Sequence, residues 1–155
     1  MFTDGPIHDV IVKEFKYYTD KRGWLTELFR VDELPEGFFL KPQMAYISMT
    51  KPAVARGPHV HAKQYDYFCF LSDFTLYLWD MRPNSQTYKN RYVLLSTKDK
   101  IVIVPPGVVH AYKNSSEAQG MVINIPDTLY AGWGKTEPVD ETRYEDIPES
   151  PFILD

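Results

Sequence analysis

The sequence predicts an all-β fold, an antiparallel sandwich or jelly roll, and three observations carry the prediction. Short runs rich in aromatic and β-branched residues recur along the chain, twelve prolines and eight glycines are spread between them, and almost no stretch has the periodicity of an amphipathic helix. At 155 residues the chain fits one domain, residues 1–155, long enough to bury a core without disulfides or structural metal.

Taken in order, Val10 to Phe15 reads as a strand, and Thr19-Asp20-Lys21-Arg22-Gly23 is a turn into a loosely alternating segment, Trp24 to Arg30. Val31 to Gly37 is a polar connection with room for one helical turn, ahead of a strand near Met44 to Met49. Tyr65 to Leu71 and Phe74 to Met81 are apolar on both faces, as expected of strands buried in a sandwich or barrel, with Ser72-Asp73 as the tight turn between them. After the break at Arg82-Pro83-Asn84-Ser85, strands follow at Tyr88 to Leu95, Ile101 to Val104 and Met121 to Ile125. The tail from Lys135 is polar but ends in Pro151-Phe152-Ile153-Leu154, which suits packing on the body or on another subunit.

A net charge of −4 with no basic run argues against general nucleic-acid binding, while a local Arg/Lys cluster can still hold a small phosphorylated ligand. No stretch has the apolar length of a membrane span, and Met1 to Pro6 has no leader pattern, so a cytoplasmic protein without membrane partners is expected. The single cysteine, Cys69, lies in an apolar run and reads as a small core residue in a reducing compartment.

The chemistry is concentrated in two stretches. Arg56-Gly57-Pro58-His59-Val60-His61 places two of the four histidines on alternate residues, hence on one face of an extended strand, and Asp66 follows closely. The second, Val104-Pro105-Pro106-Gly107-Val108-Val109-His110, adds a third imidazole. Each histidine alone is as well explained as a hydrogen-bonded core residue; three in two such stretches point to a shared site. His59, His61, Asp66 and His110 form one possible metal set, three imidazoles and a carboxylate suited to Fe, Mn, Ni or Zn.

Pro105, Gly107, His110 and Asn114 match the cupin pattern PxGxxHxxxN, and His59, His61 and Asp66 match HxHxxxxE with Asp in place of Glu. The chain thus resembles the cupin superfamily, which implies a β-jelly-roll, or double-stranded β-helix, with a ligand cavity in the barrel mouth. A more specific resemblance, to the dTDP-4-dehydrorhamnose 3,5-epimerases, runs through Asp20-Lys21-Arg22-Gly23-Trp24-Leu25-Thr26-Glu27, Arg56-Gly57-Pro58-His59, Val104–His110, Leu129-Tyr130 and Arg143-Tyr144-Glu145-Asp146. It implies a metal-free, homodimeric enzyme that deprotonates carbon beside the C4 ketone of a nucleotide-linked sugar. By the same resemblance His59 is the base and Asp146, or Glu145 beside it, its orienting carboxylate. Arg22, Glu27 and Arg56 contact the nucleotide diphosphate or its pocket, and His110 lines the sugar pocket.

Two departures accompany these matches. The strand that carries the family's proton-donating tyrosine reads Gly120-Met121-Val122-Ile123-Asn124 here, without a hydroxyl, and the family's lysine falls at or near Asp66, with Lys63 as a shifted substitute. Tyr130 is then an alternative acid or an aromatic wall, and Trp24 and Trp133 are ligand-contact candidates. The dTDP-4-keto-6-deoxyhexose 3,4-ketoisomerases share the RGxHxH pattern, in which His59 and His61 would shuttle protons. A metal-dependent cupin enzyme and a non-catalytic sugar-nucleotide-binding cupin are the other readings.

Overall fold

The computed structural model describes residues 1–36, 38 and 40–155, and it is built of two facing sheets and a hairpin, with strands numbered in chain order. One sheet has six strands in the order β1 (Thr3–Asp4), β9 (Asn90–Leu94), β8 (Phe74–Asp80), β11 (Val108–Asn114), β6 (Ala55–Val60), β13 (Thr142–Arg143). The other has five: β2 (Ile11–Glu14), β10 (Lys100–Val104), β7 (Asp66–Phe70), β12 (Gly120–Asn124), β5 (Tyr46–Thr50). A separate hairpin joins β3 (Tyr17–Asp20) to β4 (Gly23–Thr26). Apart from the short β1–β9 pairing, all neighbours are antiparallel, the arrangement of a jelly roll.

Period-two alternation builds the core. Phe68 and Phe70 on β7 turn inward to meet Phe74, Leu76 and Leu78 on β8, whereas Tyr67 and Cys69 turn outward and are buried under Leu28, Leu34 and Leu40. Both faces of β7 are therefore covered, which is why it reads as an unbroken apolar run. The outer face of the six-stranded sheet buries Trp79 against Phe152, ring centroids 5.4 Å apart, so the apolar end of the tail packs on the body. Leu28, Leu34 and Leu40 pack on the outer face of β7, with a 3₁₀ turn at Val31–Glu33; the expected polar connection ends at Gly37, outside the described residues.

One sequence expectation is corrected. The segment Trp24 to Arg30 is strand only as far as Thr26, because Arg30 folds back onto Glu27 and Asp32. The two histidine-bearing stretches are the paired strands β6 and β11. Their register skips a residue: His59 stands opposite His110, but Arg56, three residues earlier, stands opposite Tyr112. This bulge sits at Gly57, whose φ of +81° a side chain rarely adopts, and it brings Arg56 and His59 to one cavity despite their odd spacing.

Candidate active site

A cavity of about 1050 Å³ opens between the sheets, with His59, His61, Arg56, Tyr46, Tyr130 and Glu141 among its walls. Two backbone links hold its histidine strands in place. Gly107 N–H donates to His61 O at 2.8 Å, and Tyr144 N–H donates to Pro58 O at 2.8 Å. The imidazoles of His59 and His110 lie 4.4 Å apart and those of His59 and His61 5.5 Å apart, centroid to centroid.

Each ring has a distinct setting. His61 pairs through Nδ1 with Asp140 O, and His110 donates from Nδ1 to Val108 O at 3.0 Å. Those bonds turn both Nε2 atoms toward Asp66 Oδ2, at 3.5 Å from His61 and 3.3 Å from His110. Asp66 is fixed through its other oxygen, which accepts from Gln64 Nε2 at 2.8 Å and Asn124 Nδ2 at 2.7 Å. Asp66 Oδ2 and His110 Nε2 have no hydrogen-bond partner among the described residues although both are buried. Such a convergence of acceptors is stable only with a positive charge among them, a shared proton or a cation. The nitrogens of His59, His61 and His110 lie within 4.8 Å of one another, so with Asp66 beside them the donor set fits a divalent ion.

His59 has no such carbonyl anchor. Burial, then the neighbouring His110, His61 and Arg143, push its pKa down to about 2, and burial also lowers that of His110. His59 therefore stays neutral while the unfolded chain takes up a proton at the ordinary histidine pKa near 6.5. The sign follows: protons bind the unfolded state preferentially, so stability declines as pH falls below about 6.5. The urea midpoint is expected to drop between pH 7.5 and 5, above the range where carboxylates titrate, and to drop less in His59→Asn. A midpoint flat over that interval would refute the neutral, buried state of the His59 ring.

Not all expected contacts are brought together. The carboxylate facing His59 Nδ1 is Glu141, at 3.8 Å; Asp146 makes no ion pair with His59 among the described residues, and Glu145 lines the cavity without reaching it. Arg56 lines the cavity with its guanidinium tied to Thr50 Oγ1 and Met49 O, each at 2.9 Å, and Lys63 stands at the rim. His110, expected to line the sugar pocket, is buried behind His59. Arg22, Trp24 and Glu27 lie outside the cavity of their own chain; Arg22 is paired with Asp20, Glu27 with Arg30, and Trp24 is 65% exposed beside Tyr17. Trp133 is also exposed, on a 3₁₀ turn flanked by the cavity residues Gly132 and Lys135.

Sequence reasoning missed Tyr46, Gln64, Asn124 and Glu141. Tyr46 and Ser48 alternate with the outward Ile47 and Met49, a polar-in, apolar-out pattern that was available as a signal. For Glu141 no local signal exists.

The model of the dTDP-4-dehydrorhamnose 3,5-epimerase family matches residues 4–134. The chain belongs to this family. It is an isomerase of the sugar-nucleotide epimerase type. Its similarity to the probable low-salt glycan biosynthesis epimerase Agl13 of Haloferax volcanii is 33% identity over 80% of this chain and 81% of that protein. The spore coat polysaccharide biosynthesis protein SpsL of Bacillus subtilis is 32% identical over 80% of this chain and 82% of its own. Among solved structures, the dTDP-6-deoxy-D-glucose-3,5-epimerase RmlC of Legionella pneumophila, in complex with dTDP-4-keto-L-rhamnose, superposes with a TM-score of 0.74. It is 21% identical, with 97% of this chain and 82% of that one covered, and it shares the jelly-roll fold. The family match ends before Arg143–Asp146, the tail whose apparent motif suggested Asp146. No helix among the described residues is long and apolar enough to cross a membrane.

Proposed function

We propose that the cavity epimerises the sugar of an NDP-4-keto-6-deoxyhexose at C3, C5 or both, with His59 as the base. One observation carries this: His59, alone of the three clustered histidines, lines the cavity without a hydrogen bond to a backbone carbonyl. The C4 ketone acidifies the neighbouring C–H bond. His59 takes the proton, the electron pair moves onto the ketone oxygen as an enolate, and a proton returned to the opposite face inverts the carbon.

The surroundings that keep His59 neutral also weaken it as a base. Substrate binding offsets this: Glu141, whose other oxygen accepts from Arg143 Nε at 2.7 Å, needs to close by only about 1 Å to hydrogen-bond His59 Nδ1. Lys63 and Lys135 offer cations at the rim for the diphosphate, and half-exposed Tyr130 offers a face for the nucleotide base or sugar. In this reading a proton between His110 Nε2 and Asp66 Oδ2, 3.3 Å apart, takes the place of a cation, and the reaction uses no cofactor. A buried free thiol at Cys69 and a nucleotide-sugar substrate suit the cytoplasm.

The deciding experiment is incubation with dTDP- and GDP-linked 4-keto-6-deoxy sugars in deuterium oxide, with a chelator present, followed by NMR. Deuterium at C3 or C5 with the ketone still at C4 is the expected result. A ketone moved to C3 would make the enzyme a ketoisomerase, and turnover lost on chelation would make it a metal enzyme.

We further infer a homodimer in which the β3–β4 hairpin of one subunit reaches the cavity of the other, carrying Arg22, Glu27 and Trp24 to the ligand. Supporting it, β5 is an edge strand whose outward Ile47 and Met49 are 60% and 54% exposed, an apolar edge that soluble proteins normally cover. Replacing both by Lys is expected to halve the mass seen in sedimentation and to raise KM more than it lowers kcat. An unchanged mass would place the interface elsewhere.

A further inference from the structure

We propose that Tyr46 is the acid of this enzyme, delivering its hydroxyl proton to the enolate carbon on the face opposite His59. The proposal rests on the epimerase reading above and adds the group that reading lacks. Inversion needs two proton-transfer groups on opposite sides of the sugar ring. His59 stands on β6 of the six-stranded sheet and Tyr46 on β5 of the five-stranded sheet facing it, and both line the one cavity.

The hydrogen bonds around Tyr46 leave its proton free. Asn124, directly opposite Tyr46 in the β5–β12 register, accepts at Oδ1 from Tyr67 N–H at 2.9 Å, which fixes its amide orientation. Its Nδ2 then donates to Asp66 Oδ1 at 2.7 Å and to the Tyr46 hydroxyl oxygen at 3.1 Å. A fixed donor can only offer a proton to that oxygen. The hydroxyl hydrogen must therefore point elsewhere, and the same amide N–H stabilises the phenolate left after transfer. Tyr46 is 44% exposed overall, but burial around its hydroxyl pushes the pKa up to about 12, so the proton is in place at neutral pH. The other tyrosines of the cavity are less suited: Tyr112 is buried and shares its hydroxyl with Ser48 at 3.3 Å, and Tyr130 stands on a loop with no bond fixing its hydroxyl among the described residues. Strand β12 offers no hydroxyl, reading Gly120-Met121-Val122-Ile123-Asn124.

The step balances. The enolate's electron pair closes on the proton of Tyr46 as the C4 carbonyl re-forms, leaving a phenolate and an imidazolium, and solvent takes the proton from His59 and restores one to Tyr46.

The test uses Tyr46→Phe in deuterium oxide with two readouts, deuterium at the reacting carbon and inverted product. His59 still removes the proton and can return a deuteron to the same face, so exchange is expected within a few-fold of wild type while inversion falls by about 10²-fold or more. Inversion retained in Tyr46→Phe would overturn the proposal and turn attention to Tyr130. Loss of both readouts in a variant that still binds the sugar nucleotide would also overturn it, placing Tyr46 in enolate stabilisation. If the Phe variant does not fold, fluorotyrosine at position 46 keeps the shape but lowers the phenol pKa. It should move the basic limb of the inversion profile downward, and an unmoved limb counts against Tyr46. Absence of exchange in the wild-type enzyme would instead remove the epimerase reading itself.

Discussion

His59→Asn is expected to cut solvent deuterium incorporation by about 10³-fold while leaving the affinity for the nucleotide sugar within a few-fold. Asparagine keeps a planar polar group in the place of the ring, so the change removes the proton acceptor and little else. The neighbours are poor replacements. His61 is tied by Nδ1 to Asp140 O, and its other nitrogen faces Asp66. His110 is buried behind the cavity wall with its Nδ1 held by Val108 O. Exchange undiminished in His59→Asn would reassign the base to one of these two. Equal loss of binding and exchange would mean that His59 holds the substrate without deprotonating it.

How far the site was legible follows from how local each signal is. The inward and outward sets of β7 and β8 are written in their own alternation, and both histidine stretches carry recognisable spacing, so the fold and the histidine cluster could be read directly. The pairing His110 with His59, and not with Val60 or Pro58, depends on the bulge, which only the glycine at 57 hints at. Glu141 reaches His59 through a tail that wraps back across β6, a contact between residues 82 positions apart that no local pattern encodes. Asp66 looked like a poor substitute for a metal-binding glutamate or a missing lysine. Its role becomes visible only when Gln64 and Asn124 close on one oxygen and leave the other to two imidazoles. Arg22 and Trp24 were expected at the ligand, yet they sit on a hairpin outside the cavity, a placement that no local pattern encodes.

The bulge itself makes the second large prediction. A Cβ added at Gly57 would lie 2.5 Å from His110 O and 3.0 Å from His59 Nδ1, at a φ of +81°. The nearest of these atoms is backbone in the central strand β11, which cannot yield without shifting the β6–β11 pairing. Gly57→Ala should therefore cost on the order of 2–4 kcal/mol, overpacking and left-handed strain together. It should also lower epimerisation by about 10²-fold, since displacing His59 by about 1 Å misplaces the base. Gly23→Ala separates the two causes. Gly23 has φ +129° but nothing within 4 Å of an added Cβ, so this variant carries the backbone strain without the clash. It is expected to lose roughly 1 kcal/mol. Denaturant unfolding of the two variants, with deuterium incorporation measured on the same preparations, decides the matter. Equal destabilisation and equal activity in both would show that the contact with His110 does not hold the base in place. A larger loss confined to Gly57→Ala would tie the register of β6 to the chemistry of His59.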